Sequence, residues 1–75
     1  MSNIINLSKL QSIGEGLLNH YLFVACDNEL YNMRQGEPYL ITHSELSNLI
    51  YFAYGVTLSI NETKIVYNHM INKIK

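Results

Sequence analysis

The stretch that decides the fold runs from Tyr21 to Gly55, YLFVACDNELYNMRQGEPYLITHSELSNLIYFAYG. Its opening, His20 to Cys26, is a short apolar run with an aromatic and β-branched centre, which reads as a mostly buried strand. Asp27-Asn28-Glu29 supplies turn chemistry, because Asp and Asn side chains bond their own backbone and tolerate positive φ. Leu30 to Gln35 returns as a second strand, less apolar and therefore expected nearer an edge. Gly36-Glu37-Pro38 breaks it, and Tyr39 to Thr42 resumes extended structure. Pro38 has no N–H to give to a ladder, so it belongs at a turn or an edge. Thr42-His43-Ser44-Glu45 is a capping box: a threonine hydroxyl for the orphan amides, and a glutamate three residues on to reach back. The helix it starts places Leu46, Leu49, Ile50 and Ala53 on one stripe, with Gly55 positioned to end it in a left-handed turn.

Outward from this stretch, helical periodicity governs both ends. From about Leu7 to Tyr21, the residues Leu7, Leu10, Gly14, Leu17, Leu18 and Tyr21 share a face, with Ile13 at its edge and Asn6 or Asn3 as cap. Gly14 on that face predicts close approach of another element. Gly14-Glu15-Gly16 is not a phosphate loop, since no strand precedes it and the Walker residues are absent. A second capping box, Ser59-Ile60-Asn61-Glu62, starts the last helix, with a stripe of Ile60, Thr63, Tyr67, Met70, Ile71 and Ile74. Lys73 and Lys75 suit the negative end of its dipole. The expected architecture is an α+β fold: an N-terminal helix, a small antiparallel sheet of two to three strands and two C-terminal helices, in one compact domain over residues 1–75.

Composition narrows the function. Seventy-five residues lie near the lower limit at which a single core holds without help. Apolar residues at 48% and charged residues at 15% describe a folded chain rather than a disordered one. Five Lys plus Arg against six Asp plus Glu leave a net charge of −1, without the basic excess that phosphate-driven binding needs. The cations Lys9, Arg34, Lys64, Lys73 and Lys75 are dispersed, although six tyrosines and two phenylalanines could stack bases. Cys26 is the only cysteine, which rules out a disulfide framework and a cysteine-based zinc site. The longest apolar run, Tyr21 to Cys26, is too short for a signal peptide or membrane span, so a cytoplasmic protein is expected. Abundant Asn, Ile and Tyr beside scarce Ala and Arg suggest an AT-rich coding source such as a phage, a mobile element or a low-GC bacterium.

The chemistry-bearing residues have structural readings. His20 lies at a helix–strand junction, His43 in the capping box and His69 on the outer face of the last helix. None has a His, Cys or carboxylate at metal-ligand spacing on a helix. Cys26, ending an apolar strand, reads as a small core residue rather than a nucleophile. The acids fall mainly at turns and caps. No enzyme activity, metal or cofactor is expected.

The spacing Leu30-Tyr31-x4-Gly36-x2-Tyr39-x-Ile41-x3-Glu45-Leu46-x2-Leu49-Ile50 resembles the small α/β domain that precedes the helicase in phage and mobile-element primase–helicases. The likeness runs from Leu30 onward. It departs from the family in having two residues rather than one between the glycine and the tyrosine. The resemblance implies a stand-alone module that contacts a replication or nucleic-acid-processing machine, and it carries over no catalytic residue.

The remaining signal is apolar surface. With Leu46, Leu49, Ile50 and Ala53 inward, the helical step puts Tyr51 opposite and Phe52 well off the stripe; on the last helix it throws Ile65 outward, with Val66 at the margin. Large apolar residues on the outer faces of two helices point to an interface with a protein partner, with a twofold homodimer as the next simplest use. The turn acids Asp27, Glu29 and Glu37 offer a second partner surface, one that could meet a basic groove. The function expected is a small non-enzymatic phage or mobile-element protein that binds and modulates a host or replication complex. An inhibitor of a nucleic-acid machine, anti-CRISPR-like in class, is a concrete case. The alternative is a DNA-contacting replication accessory or winged-helix-like regulator. Direct nucleic-acid contact is the less favoured reading, and no membrane partner is expected.

Overall fold

The computed structural model describes residues 6–34 and 36–74, and its order is α1 (Leu7–His20), β1 (Phe23–Cys26), β2 (Glu29–Arg34), β3 (Glu37–Ile41), α2 (His43–Tyr54) and α3 (Ile60–Ile74). It is an α+β fold with a three-stranded antiparallel meander. Asn3, Gln35 and Lys75, which the sequence reading used as an alternative cap, a strand end and a dipole partner, lie outside the described residues.

Local chemistry accounts for the element ends. The Asn6 side chain accepts from the Lys9 N–H at 2.8 Å and caps α1. Asp27 and Asn28 both adopt left-handed backbone, φ 53° and 61°, which is the two-residue turn whose twist suits a hairpin. It closes Cys26 on Glu29 and sets the register through Ala25↔Leu30, Val24↔Tyr31 and Phe23↔Asn32. Both capping boxes form. Glu45 N–H donates to Thr42 Oγ1 at 3.1 Å while Thr42 N–H donates to Glu45 Oε1 at 3.2 Å. Glu62 N–H donates to Ser59 Oγ at 3.2 Å while Ser59 N–H donates to Glu62 Oε1 at 2.8 Å. Gly55, at φ 68°, ends α2 in the left-handed region that a side chain would strain.

The element that holds the fold together is α3, which touches α1, α2, β1 and β2. One buried cluster joins all six elements through Leu10, Ile13, Leu17, Phe23, Leu30, Ile41, Leu46, Ile50 and the α3 residues Val66, Tyr67, Met70 and Ile71. Because α3 is covered from several sides, its buried arc is wider than one stripe. Val66, expected at the margin, is fully buried, whereas Ile60 in the first turn is exposed. Gly14 does permit close approach: a Cβ there would meet Met70 Cγ at 3.1 Å and Val66 Cγ1 at 3.4 Å. That approach draws Ile13 into the centre of the α1 face. Leu7 lies exposed, and Tyr21 leaves the stripe because the helix has already ended and its backbone is extended.

Tyr67 ties the sheet to α3. Its hydroxyl accepts from the Leu30 N–H and donates to the Ile41 C=O, both at 2.8 Å. Leu30 and Ile41 are register partners, so the phenol sits between two groups that would otherwise bond each other.

Three strand expectations change. β2 is the central strand, not an edge, and its polar residues reflect the few side chains it turns to the core. β1 is an edge strand in which only Phe23 is buried, because only one sheet face is covered. Cys26 is exposed rather than a core residue. On α2, Ala53 is likewise exposed and Leu49 only half-buried. His69, expected on an outer face, lies half-buried between α3 and α1, with Nε2 3.0 Å from Glu15 Oε2.

Candidate functional site

Strand alternation sorts the sheet into two faces. Phe23, Asn32 and Tyr39 form one cross-strand row and Ala25, Leu30 and Ile41 the next, and these rows face the helices. The intervening residues Val24, Tyr31 and Leu40 form a row on the opposite face, flanked by Met33 and Pro38. Leu22 continues that face, since its carbonyl accepts from the Met33 N–H at 2.9 Å, and it is 67% exposed. Val24, Pro38 and Leu40 are exposed and Tyr31 and Met33 half-buried. No helix covers this apolar face among the described residues. Crowding by its neighbours, and then the Glu29 carboxylate 3.4 Å from its hydroxyl, hold the Tyr31 phenol above its usual range.

On the helix side, the sheet diverges from α2 and leaves a groove of about 380 Å³. Asn32, Tyr39 and Ile41 line it from the sheet, Tyr21 from the α1–β1 junction, and Glu45, Asn48, Leu49 and Phe52 from α2. The Tyr39 hydroxyl donates to Glu45 Oε2, while Glu45 Oε1 receives the capping N–H, so the carboxylate is held from both sides. A second depression of about 390 Å³ lies across the β3–α2 junction, where His43 meets the Tyr67 ring edge-on at 4.4 Å.

The sequence-derived site residues are placed as follows. Tyr51 and Phe52 are 56% and 84% exposed, and their rings touch edge to face at 6.2 Å. Phe52 lines the groove; Ile65, 41% exposed on α3, lines neither depression. Asp27 and Glu29 sit at the β1–β2 turn, whereas Glu37 pairs with Arg34 at the far end of β2. Five strand residues, about 17 Å, separate Glu29 from that end, so the three acids do not form one surface. Among the described residues no group of three or more His, Cys, Asp or Glu could hold a metal ion, and no helix is long and apolar enough to cross a membrane.

Sequence reading missed both composite surfaces. The apolar run from Tyr21 to Cys26 is apolar in both alternation phases, which signals two apolar faces but not which one stays uncovered. Glu45 was absorbed by the capping box and Tyr21 by a helical stripe, so neither pointed to a groove. No protein-family model, curated protein or solved structure matches this chain, and the surfaces stand on their own geometry.

Proposed function

We propose that the protein is a non-enzymatic binding module that docks on another protein through the uncovered face of its sheet. The observation that carries this is the apolar row Leu22, Val24, Tyr31, Met33 and Leu40 on a face no described helix covers. Contiguous apolar surface of this kind is expensive in water and commonly marks an interface. Three strands spaced by ~4.8 Å, each presenting about five residues at ~3.4 Å, give a footprint of roughly 250 Å². A stable complex removes about 800 Å² from each partner. A flat self-pairing of this face alone falls well short, which favours a larger partner that reaches past the sheet. Modulation of a replication or other nucleic-acid-processing complex by a phage or mobile-element protein, an inhibitor that is anti-CRISPR-like in class, is the concrete form we favour.

The test is capture of partners from host lysate by the tagged protein, with and without nuclease, beside a Leu22→Ser/Leu40→Ser variant. One dominant nuclease-resistant protein, lost with the variant, is the expected result. Captured proteins that vanish with nuclease would replace the proposal with the DNA-contacting reading, and unchanged capture by the variant would move the interface elsewhere.

A further inference from the structure

Two edges bound the sheet, and they differ in what their backbones offer. On β1, the Leu22 carbonyl accepts from the Met33 N–H at 2.9 Å, so Leu22 faces β2 across the ladder. Alternation turns the backbone groups of Val24 and Cys26 the same way, and those of Phe23 and Ala25 outward in the plane of the sheet. Among the described residues, no bond reaches the outward N–H and C=O groups of Phe23 and Ala25. On β3, the Tyr67 hydroxyl lies between the Leu30 N–H and the Ile41 C=O, so Ile41 and Tyr39 face β2. Pro38 and Leu40 therefore face out, and Pro38 has no N–H to offer. That edge also runs directly into α2.

An edge strand normally carries a guard: a charge, a proline, a bulge or a covering element. Pro38 guards β3. Leu22 to Cys26 reads L-F-V-A-C, with no charge and no proline. Its register with β2 is one-to-one, without a bulge, and α1 packs on α3 rather than along β1. The unguarded edge runs for about 17 Å.

Another strand matches such an edge, because its own N–H and C=O groups repeat every ~6.8 Å on each side. Leu22 and Val24 belong both to this edge and to the uncovered apolar row, so a strand laid along β1 would extend that row. A second copy is a poor occupant. Two β1 strands paired about a twofold axis would bury a strip of ~14 Å by ~10 Å, roughly 140 Å² from each copy. A stable complex removes about 800 Å² from each partner. A larger partner that adds a strand and continues over Val24, Tyr31 and Leu40 meets edge and face together.

We infer that the β1 edge receives an extended segment of a protein partner, about five residues long with an apolar side chain at every second position. Backbone bonds to Phe23 and Ala25 hold it. The inference rests on the reading of the protein as a protein-binding module and specifies how the partner is held.

The probe is the acetylated, amidated peptide Lys-Val-Thr-Val-Thr-Val-Lys, titrated against the isotope-labelled full chain and followed by NMR shifts and amide hydrogen exchange. The control is the same peptide N-methylated on its three central residues, which keeps the side chains and removes donors on both of its edges. Saturable shifts at Phe23, Val24 and Ala25 are expected, with a dissociation constant on the order of 1 mM and slowed exchange of the Phe23 and Ala25 amides. The N-methylated peptide should bind roughly tenfold or more weakly. Ala25→Pro removes a donor that the ladder does not use, so the folded spectrum is retained while peptide binding falls by a similar factor. Should that variant fold poorly, the two peptides decide the matter on the unchanged chain. No saturable shift at β1 with millimolar peptide, unchanged exchange of both amides, or equal binding of the two peptides overturns the inference. A chain that sediments as a dimer, and as a monomer after Ala25→Pro, also overturns it by making a second copy the occupant. A partner captured from lysate that is lost with Leu22→Ser/Leu40→Ser but kept by Ala25→Pro overturns the edge contact and leaves the binding-module reading standing. If the peptide binds at β1 but no protein is captured, the edge stands and that reading falls.

Discussion

Replacing Tyr67 by Phe removes one oxygen and leaves two backbone groups facing each other across it. The Leu30 N–H and Ile41 C=O are both buried, and each currently meets the phenol oxygen at 2.8 Å. A buried polar group left without its partner costs about 1–3 kcal/mol, so two of them set an upper bound near 6 kcal/mol. Some of this is recoverable, because the two groups are register partners and could draw together into a direct bond. The Phe ring, however, still occupies the same position, wedged against His43, and opposes that closure. The expected loss is therefore about 3 kcal/mol, a large share of the ~4–11 kcal/mol available to a chain of this length. It corresponds to a melting temperature lower by roughly 12–24 °C. Urea unfolding gives the free energy, and hydrogen exchange at the Leu30 amide reports the bond itself. A loss below about 0.5 kcal/mol with the Leu30 amide as protected as before would refute the reasoning, because the bridge would then be replaceable at almost no cost.

Three further outcomes follow from particular contacts. Gly14→Leu has no room beside Met70 and Val66 and should cost at least about 3 kcal/mol in urea unfolding; a loss under about 1 kcal/mol would mean that α1 and α3 do not approach as described. Tyr51→Ser and Phe52→Ser should each change stability by no more than about 0.5 kcal/mol, since both side chains project to solvent; unfolding of either variant would place these rings in the core. Tyr31 should ionise above the ordinary tyrosine range, and Glu29→Gln should bring its NMR-detected titration back down. Its raised pKa means that the folded chain keeps this proton longer than the unfolded one. The associated stability is present below the ordinary tyrosine pKa and is lost as pH rises through the folded value. A titration that ignores Glu29→Gln removes the carboxylate from the account.

The parts of the fold governed by local chemistry were legible in the sequence. Asn6, Thr42, Ser59 and Gly55 end helices through hydrogen bonds spanning a few residues, and Asp27-Asn28 turns the chain by its own backbone preference. What failed depended on partners distant along the chain. Ile13 and Val66 are central because Gly14 lets α1 settle on α3, a fact about two helices that neither periodicity contains. The misjudged strands share one cause: a strand's apolar content does not say which sheet face the helices will choose. Likewise, Tyr39 and Glu45 belong to the groove only because β3 leads directly into α2. Tyr51 and Phe52 were placed correctly on the surface by arithmetic within one helix, but the same arithmetic could not bring Tyr21 beside Phe52.

Salt separates the two readings of the protein within a single complex. Association through the apolar sheet face should respond little to ionic strength, whereas DNA binding, driven by the release of counterions from phosphates, should weaken steeply as salt rises. Measured on one captured complex at two salt concentrations, an affinity that holds assigns the contact to the sheet face. One that collapses by orders of magnitude overturns docking through that face and moves the protein to the DNA-contacting class.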